Sequence, residues 1–219
     1  MRPTRRDFLR QSAGVALAAH AGAVASAESS PARAGGDILS RMTWLNPPAA
    51  EHYGDGVLTV RAKGKTDFWR KTYYGYVTDN GHFMHLSMMG EFTMQARIAG
   101  NYSALYDQAG LMVRLDEKHW MKCGSEFVEG KRWASVVVTH DFSDWSTMED
   151  LVQNGAVWWR VVRKKDSLEA QCSKDGDKFP PIRQAYFPAD VKVLVGLMCA
   201  APEGAGFDAV FDQLKIEKA

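Results

Sequence analysis

Residues 106–127 read YDQAGLMVRLDEKHWMKCGSEF, two runs of strand-forming residues joined by the charged turn DEKH. Side chains alternate along a strand. In the first run Tyr106, Gln108, Gly110, Met112 and Arg114 therefore fall on one face, and Asp107, Ala109, Leu111, Val113 and Leu115 form the greasier one. In the second run Trp120, Lys122, Gly124 and Glu126 oppose Met121, Cys123, Ser125 and Phe127. Two half-polar, half-apolar strands in succession are the signature of an antiparallel sheet with one face in a core.

The pattern extends along the chain. Val57 to Ala62, Phe92 to Ile98, Ala134 to Thr139, Trp158 to Arg163, Leu168 to Ser173, Val191 to Cys199 and Phe207 to Ile216 all read as short strands. Asn80-Gly81 and Asp175-Gly176 carry the composition of tight turns that need positive φ. The spacing, with little amphipathic helical text and no internal repeat, predicts an all-β fold. The expected form is a two-sheet antiparallel jelly-roll sandwich.

The N-terminus is of another kind. Thr4-Arg5-Arg6-Asp7-Phe8-Leu9, a weakly apolar stretch and the triplet Ala25-Ser26-Ala27 resemble a cleavable twin-arginine signal, which predicts export to the periplasm or beyond. The apolar stretch is too short and too weak to anchor the chain in a bilayer, so no membrane insertion is expected once residues 1–27 are removed. Residues 28–41 read as a polar linker and residues 42–219 as one sandwich domain.

Of 219 residues, 192 remain after the signal, with 23 Lys and Arg against 25 Asp and Glu, a net charge of −2. That balance argues against nucleic acid as a partner. Cys123, Cys172 and Cys199 allow at most one disulfide and contain no C-x-x-C pair, which disfavours a structural zinc site. Phosphate-loop, dinucleotide, nucleophile-elbow and zincin motifs are absent, and no cofactor is expected. His82 and His85 fall on opposite faces of a strand, while His119 and His140 each stand alone in the sequence. For all four, a purely structural role is the expectation.

Tryptophan is the informative residue. The adjacent Trp158 and Trp159 must point to opposite sides of their strand, and Trp158 shares its side with Arg160. Aromatic rings beside Arg, Lys, Gln and Glu can stack on a sugar ring and bond its hydroxyls. Three faces, Tyr106/Gln108/Arg114, Trp120/Lys122/Glu126 and Trp158/Arg160, are expected to form one concave carbohydrate-binding surface. The alternatives are an ordinary wet face, a protein-interaction sandwich, or a glycoside hydrolase or lyase with Glu126 as acid/base. The enzymatic reading calls for a second carboxylate, for which Asp107 and Asp144 are available, or for a divalent ion on His82, His85 or His140.

FWRKTYYGYVTDNGHF (68–83), the opening stretch, SVVVTHDFSDWS (135–146), W-x-R-V-x-R from Trp158, SKDG (173–176) and GLMCAAPEGAGFDAVF (196–211) resemble a widespread family of unknown function. That family is similar to the yeast regulation-of-enolase protein and belongs to the concanavalin A-like lectin/glucanase group. The resemblance runs from about Met42 to Glu217 and implies a two-sheet jelly roll. It implies no particular reaction and supplies no catalytic residues.

Overall fold

Outward from residues 106–127, the computed structural model confirms two adjacent strands, β8 (Gln108–Arg114) and β9 (His119–Val128), paired antiparallel. The structure describes residues 38–149 and 153–219. The signal and most of the linker lie outside these residues. A short 3₁₀ turn, Ile38–Arg41, precedes the first strand and seats Leu39 in the core.

In chain order the other strands are β1 (Thr43–Leu45), β2 (Ala50–Gly54), β3 (Val57–Arg61), β4 (Phe68–Arg70), β5 (Val77–Asp79), β6 (His82–Met88) and β7 (Phe92–Gly100). After β9 come β10 (Lys131–His140), β11 (Phe142–Glu149), β12 (Val157–Lys164), β13 (Ser167–Ser173), β14 (Pro181–Tyr186), β15 (Val193–Ala200) and β16 (Asp208–Lys218). One sheet has the order β1-β6-β15-β8-β9-β10-β11 and the other β14-β13-β12-β7-β16-β3-β2. The ladders in both are antiparallel. This is the sandwich that the alternation predicts.

The main core lies between the sheets. Leu111, Val113, Met121, Cys123, Val136 and Leu197 from the first meet Leu58, Met94, Ile98, Trp159, Val161 and Phe211 from the second. Each such side chain contributes roughly 1.5–3 kcal/mol by leaving water. Cys123, Cys172 and Cys199 are buried as thiols and join in no disulfide. They act as small apolar residues, and burial raises the thiol pKa of Cys123 and Cys199 far above the ordinary value.

A second core covers the opposite face of the first sheet. Strands β4 and β5 form a separate two-stranded flap, and its Phe68, Trp69 and Tyr74 pack on Phe83, Met112, Trp120, Val137 and Met198. Every residue of β8 is consequently buried, on both faces. Alternation alone read one of those faces as open.

Two turns illustrate how context chooses among similar signals. Asn80-Gly81 is not a hairpin turn: β5 pairs with β4, β6 pairs with β1 and β15, and neither residue has positive φ. Instead the Asn80 and Gly81 amides both donate to the Asp67 carbonyl, at 3.1 and 2.9 Å. Glycine is needed at 81 because a Cβ there would lie 2.4 Å from the Phe68 ring. Among the described residues, two-residue hairpin loops occur at Asp55-Gly56 (φ 52° and 75°) and Glu129-Gly130 (φ 51° and 78°), where both residues have positive φ, and at Lys165-Asp166, where Lys165 alone does (φ 51°). Asp175-Gly176 does sit between paired strands, with Gly176 at φ 80°, but in the longer connection from Ser173 to Pro181.

Candidate functional site

The outer face of the first sheet is built by register. Gln108 stands opposite Glu126, Met112 opposite Lys122 and Arg114 opposite Trp120. Across the next ladder Lys122 faces Val137, and Val137 in turn faces Trp145 on β11. Trp145 therefore joins the same face as Lys122 and Glu126 at the sheet edge.

The flap closes over the middle of that face. Trp120, Lys122, Glu126, Gln108 and Arg114 are only 1–6% exposed, so the expected open groove at Trp120/Lys122/Glu126 is instead an interior layer. Phe68 packs edge-on against Trp120 with ring centroids 6.2 Å apart. The Lys122 ammonium donates to Asp67 Oδ1 (3.2 Å) and to the Phe68 carbonyl (2.8 Å). Gln108 Nε2 donates to the Tyr106 carbonyl and Asp67 Oδ1, and Arg114 grips Asp79 with two bonds of 2.6 and 2.7 Å. A cavity of about 10 Å³, room for about one water, lies among Gln108, Lys122, Glu126 and Ser135.

Glu126 Oε2 accepts the Trp145 indole N–H at 3.0 Å, and Ser135 Oγ lies 3.1 Å from the same nitrogen. Tyr106, at φ 67° and 2% exposed, packs its ring edge-on to Trp145 with centroids 6.1 Å apart. Neither carboxylate considered as a partner for Glu126 shares its face. Asp144 pairs with inward-facing Val138, while Asp107 accepts the amides of Ser103 and Ala104, and burial raises its pKa. The carboxylates that reach this layer are Asp67, tied to Lys122, and Asp79, tied to Arg114.

Trp158 and Arg160 belong to the other sheet. They face outward from β12, with the Trp158 ring against Gly176 and the Arg160 guanidinium 3.5 Å above the Phe179 ring. The three faces expected to form one surface thus lie on two sheets. Sequence periodicity assigns sides within a strand but not the sheet to which a strand belongs.

An open groove does exist beside the buried layer. It has a volume of about 490 Å³ and is lined by Trp69, Thr72, Tyr73, Tyr74, Ser143, Asp144, Trp145, Ser146 and Arg183. Trp145 is 37% exposed and Tyr73 65% exposed, so two aromatic rings meet solvent there. Arg183 Nη1 donates to Ser146 Oγ at 2.7 Å, placing a guanidinium at the rim. The wall formed by residues 71–75 holds Lys71, Tyr73 and Gly75 at φ 57°, 61° and 73°. Left-handed backbone at non-glycine residues is costly and concentrates at functional sites. The turn is fixed by the Lys71 amide on the Tyr76 carbonyl (2.7 Å) and by the Trp69 indole on the Thr72 carbonyl (3.1 Å).

Sequence reasoning passed over this groove although its signals were present. KTYYGY (71–76) is aromatic-rich, and Ser143, Trp145 and Thr147 alternate on one side of β11. His82 is buried in β6, and His85 lies on the opposite face of that strand. Among the described residues, no three His, Cys, Asp or Glu side chains gather as a metal cage.

The fold, two antiparallel seven-stranded sheets with an aromatic groove at one edge, is that of a two-sheet antiparallel β-sandwich. Residues 44–219 match the family described as protein of unknown function (DUF1349), and the chain belongs to that family. It is 42% identical over 175 residues to Regulation of enolase protein 1 of Saccharomyces cerevisiae, covering 80% of this chain and 88% of the yeast protein. A crystal structure of a functionally unknown S. cerevisiae protein superposes with a TM-score of 0.79 at 40% identity, over 83% of this chain and 98% of that one. The fold also recurs in a GH43 protein, BlXynB, from Bacillus licheniformis, with a TM-score of 0.67 at 14% identity over 82% of this chain and 37% of that one. Carbohydrate binding module CBM66 from Bacillus subtilis gives a TM-score of 0.54 at 12% identity over 81% of this chain and 96% of that module.

Proposed function

We propose that this chain is an exported carbohydrate-binding β-sandwich, and that its ligand lies between Trp145 and the Tyr73–Tyr74 turn. The observation that carries this reading is the groove itself: two partly exposed aromatic rings beside Arg183, Asp144 and Ser146. Sugar sites pair an apolar platform with a few fixed polar groups, and a volume of about 490 Å³ suits a short oligosaccharide. The occurrence of this fold in a carbohydrate binding module and in GH43 proteins supports the reading by analogy.

In this reading Glu126, Gln108, Lys122 and Trp120 act from beneath. Glu126 fixes the Trp145 indole, and the Lys122–Asp67 pair fixes the flap that bears Tyr73. A buried carboxylate held this way favours binding over hydrolysis. The twin-arginine-like N-terminus supports action after export.

The test is calorimetric titration of the full chain with a panel of plant and microbial oligosaccharides. Saturable binding that Trp145→Ala abolishes and Trp158→Ala leaves intact is the expected result. Absence of binding across the panel, or equal loss in both variants with the fold retained, overturns it.

A further inference from the structure

His119 and His140 are 21 residues apart in sequence, yet the β9–β10 register sets them directly opposite one another at the end of the ladder. Their ring centroids lie 5.8 Å apart. His119 Nδ1 is 2.8 Å from Asp116 Oδ1 and 3.0 Å from Oδ2. An ionised carboxylate only accepts, so Nδ1 carries the proton and Nε2 keeps its lone pair. His140 Nε2 is 3.1 Å from the Tyr186 carbonyl oxygen. A carbonyl likewise only accepts, so in His140 the lone pair is on Nδ1.

Each ring therefore has one nitrogen anchored as a donor, to a carboxylate in one case and a backbone carbonyl in the other. That is the outer-shell arrangement which fixes tautomer and orientation in metal-binding histidines. Two imidazoles bound tetrahedrally at a metal–nitrogen distance of about 2.0–2.1 Å would have centroids roughly 5–6 Å apart.

We propose that His119 and His140 form a surface site for one divalent transition ion of the zinc, copper or nickel type. The two imidazole nitrogens are the protein ligands, and water completes the coordination. Aromatic rings of Tyr186 and Phe187 flank His140, with centroids 5.8 and 6.2 Å from its own. Because His140 also bonds to β14 of the other sheet, an ion there would brace this end of the sandwich and stabilise the folded state by mass action. Imidazole suits these metals, whereas hard ions such as calcium require oxygen ligands.

The test is titration of the full chain with zinc and with copper(II), followed by calorimetry, thermal melting and, for copper, electron paramagnetic resonance. One ion per chain, a raised melting temperature and nitrogen hyperfine structure from two imidazoles are expected. His119→Ala and His140→Gln should each weaken binding more than tenfold, Asp116→Asn about tenfold or more by releasing the His119 ring, and His85→Ala not at all. Affinity should fall in acid, because protons compete with the ion for the imidazole nitrogens. Absence of stoichiometric binding, or binding unchanged in a folded His140→Gln chain, overturns the proposal.

Discussion

The Lys122 ammonium lies 3.2 Å from Asp67 Oδ1, and each side chain is 5% exposed, so a buried ion pair fastens the β4–β5 flap to the centre of the first sheet. Lys122 also donates to the Phe68 carbonyl, and Gln108 reaches the same carboxylate. Removing one partner strands the other charge in a dry layer. Lys122→Ala or Asp67→Ala should each cost about 3–5 kcal/mol, and replacing both by Met and Leu should cost less than the sum. Urea unfolding of the two single variants and the double variant measures the coupling.

Trp145 combines two roles that substitution can separate. Its ring faces the groove, and its indole N–H satisfies Glu126, which is 3% exposed. Trp145→Phe retains an aromatic face but leaves a buried acceptor without that donor. We expect it to keep most ligand affinity and lose about 1–3 kcal/mol of stability. Trp145→Ala should lose both, as calorimetry and chemical denaturation on the same samples would reveal.

His82 makes the flap junction sensitive to acid. Its Nδ1–H donates to the Asn46 carbonyl at 2.7 Å, and its Nε2 accepts the Lys63 amide at 2.9 Å. Burial lowers its pKa despite the opposing Asn46 bond, and Lys63 adds to the lowering; burial and Arg114 lower that of His85. In the unfolded chain these imidazoles protonate near pH 6.5, before the folded ones do, so the unfolded state binds more protons below that pH. Stability should hold above about pH 6.5 and decline as pH falls below it. His82→Gln should flatten the pH dependence of the urea midpoint between about pH 7 and 5, and an unchanged slope would assign the effect elsewhere.

Gly81 lies where the chain leaves the flap for β6, and a Cβ there would meet the Phe68 ring at 2.4 and 2.5 Å. Phe68 is fully buried and packs on Trp120, so it has little room to yield. Gly81→Ala should destabilise by about 1–3 kcal/mol through overpacking. Near-ultraviolet circular dichroism should register the displaced tryptophan, with strand content preserved.

Export is tested at the N-terminus. Arg5→Lys together with Arg6→Lys should retain the chain in the cytoplasm of a bacterial host whose wild-type counterpart reaches the periplasm. Sequencing of the exported product should begin near Glu28.

The alternation of YDQAGLMVRLDEKHWMKCGSEF determined two paired strands and the inward residues Leu111, Val113, Met121 and Cys123, because period-two burial is a local property of the chain. It also grouped Gln108, Lys122 and Glu126 correctly on one side. That side is nevertheless buried, because a flap from residues 67–79 closes over it through contacts such as Lys122 with Asp67, 55 residues away. The sequence likewise showed that Trp158 and Trp159 must diverge, but strand order alone placed Trp158 on the second sheet, away from Trp120. The groove at Trp145 and the His119–His140 pair arose from register and from flap packing. Side-chain period is written into each strand, whereas which strands pair, and what covers the second face of a sheet, is decided by long-range packing that no local pattern encodes.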